Sequence, residues 1–120
     1  NKVVRSGRVQ AADRDGLIAL AEALLFPSKY EGFGAPVLEA MALGTPVISS
    51  DCASLPEVVG DGGLVLPLTS EAWEGALDVI RTQRSTLVHN GLRRAEEFTS
   101  AKSAQDLVIA YEKTLAAVSR

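Results

Sequence analysis

Two glutamates, Glu31 and Glu39, stand with seven residues between them, on either side of Gly32-Phe33-Gly34 and of a Pro36 placed to open a helix. Gly32 and Gly34 take dihedrals that other residues resist and let the backbone approach a ligand closely, while Phe33 between them can anchor the loop. Pro36 has no N–H, but amides in the first turn of a helix, such as those of Val37 and Leu38, can face an anion. A diphosphate fits such a helix mouth. Glu31 lies in the loop and Glu39 about one turn into the helix, where side chains lean back toward the N-terminus, so both carboxylates can face one ligand. A carboxylate repels phosphate, so the sensible partners are neutral hydroxyls flanking it, a sugar on one side and a ribose on the other. The spacing alone carries little, because paired glutamates are common on solvated helices. The Gly-Phe-Gly, the proline and the Phe26-Pro27-Ser28 that ends an apolar run together remove most chance explanations.

The elements that must position these residues are short. Residues 3–9 read as a first strand and residues 13–22 as a short amphipathic helix carrying Leu17, Ile18, Leu20 and Ala21. A compact buried strand over residues 23–26 stops at Pro27. Residues 36–43 read as a helix with proline in its first turn and Gly44 just past its end. A strand follows over residues 46–50. Ser54 and Glu57 sit at the capping-box offset for a single-turn helix, and a short strand over residues 64–66 stops at Pro67. Three apolar stripes at helical period come next: Ala72 to Ile80, Leu87 to Phe98, and Leu107, Val108, Tyr111, Leu115 and Val118. Trp73 lies on the first as a core or docking residue. Thr69-Ser70 and Thr99-Ser100 read as joints. Strands alternating with helices imply an α/β fold, an open parallel sheet flanked by helices on both faces. In such a sheet ligands bind outside the carboxyl ends of the strands, which is where the glycine-bearing loop falls.

Size and charge narrow the classes. With 120 residues, 47% of them hydrophobic, the chain is long enough for one sizeable core, so one domain over residues 1–120 is expected. A formal charge of −3 argues against a basic surface that grips nucleic acid. The single cysteine, Cys52, excludes an internal disulfide and reads as a buried structural thiol. No Cys/His or Asp-x-Asp cluster calls for a metal, and no apolar run approaches the ~20 residues of a transmembrane span. The opening at Asn1, with the one methionine at Met41, suggests a piece of something longer.

The stretch FPSKYEGFGAPVLEAMALGTPVISSDCASLPEVVGDGGLVLPL resembles the signature region of family 4 retaining glycosyltransferases, closely over residues 26–68 and more loosely over 4–25 and 71–118. The resemblance implies a Rossmann-like, incomplete half of the two-domain GT-B fold: the part that binds the nucleotide-sugar donor. The family's Glu-x7-Glu motif falls on Glu31 and Glu39. Glu31 would then be the catalytic-site carboxylate that meets the donor sugar's hydroxyls, and Glu39 the partner of the nucleotide ribose. The amides of Gly32, Phe33, Gly34 and Ala35 would line the sugar and phosphates, and Val37, with Leu38 beside it, would meet the diphosphate. Transfer of a hexose-type unit from a nucleoside diphosphate sugar to an acceptor hydroxyl, with retention, is the implied reaction. No cofactor or metal is required. The acceptor, a sugar, lipid or small molecule, would bind an N-terminal domain absent from this chain, as would the diphosphate-neutralising arginine and lysine, so the chain alone should be inactive. The implied address is cytoplasmic, or peripheral at a membrane through the missing part. A non-catalytic nucleotide-sugar-binding module and another GT-B enzyme, an epimerase or phosphorylase, stand as rivals.

Where the family carries a tyrosine and small residues before the Phe-Pro-Ser strand, this chain has Ile18 and Leu20; near the last helix a family aromatic gives way to Thr99-Ser100-Ala101. Lys29 reads as a solubilising lysine and His89 as a surface residue of a charged helix. Asp51 fits either the pocket's border or a turn, and Tyr30 and Phe33 fit either sugar contact or packing.

Overall fold

The computed structural model describes residues 2–118, the Ser100 side chain excepted. Its elements run α1 (Ala11–Leu20), β1 (Leu24–Phe26), α2 (Ala35–Ala42), β2 (Val47–Ser50), α3 (Leu55–Val59), β3 (Gly63–Leu66), α4 (Ser70–Trp73), α5 (Ala76–Glu97) and α6 (Ser100–Val118). The three strands form one parallel sheet in the order β1-β2-β3. Val47 pairs with Leu24 on one side and Gly63 on the other, so the strands' carboxyl ends align at Phe26, Ser50 and Leu66.

Each face of this sheet buries its own cluster. Alternate side chains of a strand point to opposite faces, and Val47 and Ile48 show it: Val47 packs with Val37, Ala40, Met41, Leu55, Val58 and Val59 from α2 and α3. Ile48 packs with Ala76, Ile80 and Leu87 of α5, with Trp73 alongside. The open parallel α/β sheet with helices on both faces is therefore the observed fold. The second half of α5 reaches α2 at Gly91, where the helix crosses the turn before β3 almost backbone to backbone. A Cβ on Gly62 would fall 3.0 Å from Gly91 Cα and 3.0 Å from Met41 Cε. A side chain there would need its neighbours to give by a few tenths of an ångström, so glycine suits the approach.

Three expectations are corrected. Residues 3–9 form no strand; Val3 and Val4 are 93% and 83% exposed, and among the described residues no strand lies beside them to complete their hydrogen bonds. The stripe from Ala72 to Ile80 is not one helix, because α4 ends at Trp73 and Gly75, at φ 77°, turns the chain before α5 begins. The capping box at Ser54 is not formed, since Ser54 is helical (φ −80°, ψ −10°) and its hydroxyl is used elsewhere. The joints at Thr69 and Thr99 are observed: each hydroxyl accepts an N–H at 3.3 Å, from Ala72 and Lys102. Trp73 docks as expected, its indole N–H donating to Pro67 O at 2.9 Å.

The outer helices are held by polar pins more than by core. Leu17 and Leu20 of α1 are exposed, and Ile18 alone of its stripe packs against the core, helped by Thr45 Oγ1 donating to Ile18 O at 2.8 Å. The segment between α1 and β1 is tied to α5 by Arg81, which pairs with Glu22, and by Arg84, which donates to Glu22 O at 2.7 Å. On α6, Leu107, Val108 and Tyr111 lie more than half exposed, so that stripe is not core of this sheet.

Two measurements check this account. Ile80 is fully buried between α5 and the sheet, so Ile80→Ala should cost about 2–5 kcal/mol in urea denaturation. The Arg81 hydrogen bond holds the Glu22 carboxyl below its ordinary value. Its contribution is complete above the ordinary glutamate range and fades as pH falls through the depressed value, so Arg81→Ala should flatten the acid limb of the stability profile there.

Candidate functional site

The loop over residues 27–34 leaves the carboxyl end of β1 and delivers the chain to α2. Gly34 makes the hand-over. It sits at φ 86°, ψ 41° as the N-cap of α2, and a Cβ there would fall 2.9 Å from Leu55 Cδ2. Both the left-handed backbone and the seat of Leu55 require glycine. Val37 N–H donates back to Gly34 O at 3.0 Å, closing the first turn. Since Pro36 has no N–H and Leu38 stands where helical bonding begins, Gly34 and Ala35 are the main donors the helix mouth offers an anion.

Three serines pin the loop, in roles that the sequence did not suggest. Ser50, at the buried end of β2, donates to Ser28 O. Ser54, at the start of α3, donates to Glu31 O at 3.1 Å. Ser28 Oγ lies 3.0 Å from Tyr30 O and 3.3 Å from Glu31 Oε1, so its one proton reaches either the backbone or the carboxylate. The loop is thus fastened to the ends of two neighbouring elements, and Glu31, half-buried, is held at both its backbone and its side chain. Phe33 packs edge-on to Phe98, centroids 5.8 Å apart and planes at 68°. Arg94 stacks over Phe98 at 4.9 Å and donates to Glu57 O and to Val58 O, capping α3 as it braces the ring. Phe33 is a packing residue that remains half exposed; Tyr30 stands well out in solvent.

Glu39 meets a different environment. Arg14 of α1 approaches it, Nη2 to Oε2 3.4 Å, while the same guanidinium donates to Asp15 Oδ1 from Nε at 3.1 Å and Nη2 at 2.9 Å. The hydrogen bond to Asp15, then the charge of Glu39, raises Arg14 above its ordinary value. Arg14, Asp15, Glu39, Ala42 and Leu43 line a cleft of about 260 Å³, and Glu31 is not part of that lining. Sequence adjacency brings Gly32, Phe33, Gly34 and Ala35 to the helix mouth, with Val37 buried beneath it and Leu38 packed beside the core. The remaining residues fall away from this region or do little there. Cys52 is half-buried near Asp51, not a core thiol, and Asp51 is exposed beyond β2. Lys29 is exposed, and His89 is exposed in a shallow groove on α5.

A family model for group 1 glycosyl transferases matches residues 1–82. The chain belongs to this family. Among curated relatives, the MMP alpha-(1->4)-mannosyltransferase of Mycolicibacterium hassiacum is 44% identical over 111 residues, 85% of this chain and 27% of that protein. The D-inositol 3-phosphate glycosyltransferase of Jonesia denitrificans is 37% identical over 120 residues, 92% of this chain and 28% of that protein. The O-antigen chain mannosyltransferase B of Escherichia coli is 56% identical over 59 residues, 49% of this chain and 16% of that one. The chain thus spans little more than a quarter of these relatives, or less. Among solved structures, sucrose-phosphate synthase from Thermosynechococcus elongatus superposes with a TM-score of 0.66 at 33% identity, over 81% of this chain and 26% of that one. The expected GT-B glycosyltransferase is met at the level of family and fold. Among the described residues no helix is long and apolar enough to cross a membrane.

The aromatic brace gives the site a test. Phe33 and Phe98 touch edge to face, so a double-mutant cycle with Phe33→Leu and Phe98→Leu should return a coupling of about 0.5–1.5 kcal/mol in urea denaturation. Additive losses would mean that the loop does not depend on the end of α5.

Proposed function

We propose that residues 1–120 form one partial donor-binding domain of a retaining glycosyltransferase, which transfers a hexose-type unit from a nucleoside diphosphate sugar to an acceptor hydroxyl. The observation that carries the reading is the pinned loop: a glycine-bearing, acidic segment fixed at the carboxyl ends of two parallel strands and emptying into a helix mouth. Ligands of open α/β sheets collect at that edge.

In this reading Glu31 hydrogen-bonds hydroxyls of the donor sugar. Ser28 serves as its stand-in partner, swinging to Tyr30 O when the sugar arrives. The amides of Gly32, Phe33, Gly34 and Ala35 line the sugar and phosphates, and Val37 shares its N–H between Gly34 O and the diphosphate while Leu38 supports the helix from the core side. Glu39, on α2, takes the ribose hydroxyls. Charge grows on the diphosphate as the glycosidic bond breaks, and amides fixed beforehand stabilise it without reorganising. Cationic side chains from outside this chain complete the neutralisation, and no resident metal is needed. The acceptor, a sugar, lipid or small molecule, binds a further domain, which places the working enzyme in the cytoplasm or at a membrane surface. Two of the relatives above are mannosyltransferases by name, which makes a nucleoside diphosphate mannose the first donor to test.

The test is a binding and turnover screen of UDP-, GDP- and ADP-sugars with the full-length protein. Glu39→Ala should weaken the preferred donor about tenfold, the loss of hydrogen bonds to a charged group. Glu31→Gln should lower kcat by about a hundredfold while leaving free nucleoside diphosphate affinity nearly unchanged. Undiminished donor affinity in Glu39→Ala would remove the ribose assignment. Tight donor binding with no transfer to any acceptor would favour the non-catalytic binding module.

A further inference from the structure

Glu39, on α2, is met by a charged side chain from another helix. Its neighbour Arg14 comes from α1, an element with no buried residue of its own, whose docking on α2 rests on Ile18 and on Thr45 donating to Ile18 O. The guanidinium is itself held, because Asp15 accepts from both Nε and Nη2 and so fixes its plane. The approach the structure records is Nη2 of Arg14 to Oε2 of Glu39 at 3.4 Å. The Glu39 side chain stays 41% exposed, so the carboxylate remains within reach of a ligand. An exposed ion pair adds little to stability, so the fold does not need it.

We propose that Arg14, steadied by Asp15, is a positioning residue for Glu39: it engages one carboxylate oxygen and turns the other toward the ribose hydroxyls of a nucleoside diphosphate. The inference rests on the ribose assignment of Glu39. It makes α1, which touches no proposed ligand atom, a contributor to donor affinity, and it predicts that the contribution runs wholly through the ribose.

The experiment compares ribose with a ribose lacking its hydroxyls. Binding to the full-length protein is measured by calorimetry for UDP, GDP and ADP, and for the 2′,3′-dideoxy counterpart of the tightest of them. The wild-type protein should prefer the hydroxylated ligand by about tenfold. Arg14→Ala should weaken that ligand several-fold and leave the dideoxy ligand's affinity unchanged, and Arg14→Lys should recover part of the loss. Full retention of ribose discrimination in Arg14→Ala overturns the inference. So does an equal loss for both ligands accompanied by a lower Tm, which would mean a structural role, or tighter binding of the hydroxylated ligand, which would make Arg14 a competitor. The underlying assignment fails separately: if none of the three diphosphates binds, or the wild-type protein ignores the hydroxyls, the ribose role of Glu39 falls and takes this inference with it. If Glu39→Ala loses discrimination while Arg14→Ala keeps it, Glu39 stands and Arg14 alone is refuted.

Discussion

The left-handed turn at Gly34 is the constraint on which the site depends. A chain leaving β1 must reverse its pleat, cross the sheet's carboxyl edge and enter α2 within residues 27–34, and it does so by placing Gly34 at φ 86° with Leu55 seated where a side chain would begin. Leu55 is fully buried, and it belongs both to the core under α2 and to α3. The loop's shape and the packing of two helices are therefore one event. A residue with a Cβ would have to displace Leu55 and adopt a backbone conformation that L side chains avoid, so the helix mouth would move with it.

From that turn the fastening spreads outward along polar contacts between elements. Ser50 and Ser54 hold the loop backbone, Phe98 holds Phe33, and Arg94 holds Phe98 while it binds the last carbonyls of α3. Loops at the edge of a sheet are usually the mobile part of a fold, and catalysis suffers when a ligand group is misplaced by even an ångström. Fastening from three sides answers that need. Glu31 gains the most, since its backbone carbonyl, its carboxylate and the ring two residues later are each engaged.

The parts legible in the sequence are those whose signal is local. Pro36 and Gly44 marked the ends of α2 to within a residue, and the apolar runs ending at Pro27 and Pro67 marked β1 and β3. Residues 3–9 misled because a strand exists only where another strand completes its hydrogen bonds, and no run of valines records whether that partner is present. Ser54 misled for a related reason: a hydroxyl that suits a cap was taken by Glu31 O, 23 residues away along the chain. The Glu31 and Glu39 motif could be read at once, but that Glu39 would line a cleft with Arg14 and without Glu31 could not. Arg14 reaches Glu39 through the docking of α1, and no spacing rule connects a helix surface to a residue on another helix.

The carboxyl end of β2 shows what positioning costs. Val47 and Ile48 fill the two cores, yet Ser49 and Ser50 follow them in the same strand, completely buried, where larger apolar side chains would remove more surface from water. A buried hydroxyl is tolerable only when it finds an acceptor, and here each does: Ser49 donates to Ser50 O at 3.0 Å and Ser50 to Ser28 O. The second bond is the informative one, because it joins the strand to the loop instead of satisfying a group within the strand. Hydrophobic burial has no direction and could not specify which loop atom stands over the strand's end, whereas a hydrogen bond to one carbonyl does. The sheet therefore gives up apolar packing at the one edge where a ligand would arrive, and uses the polar group to fix the geometry of the segment that would receive it.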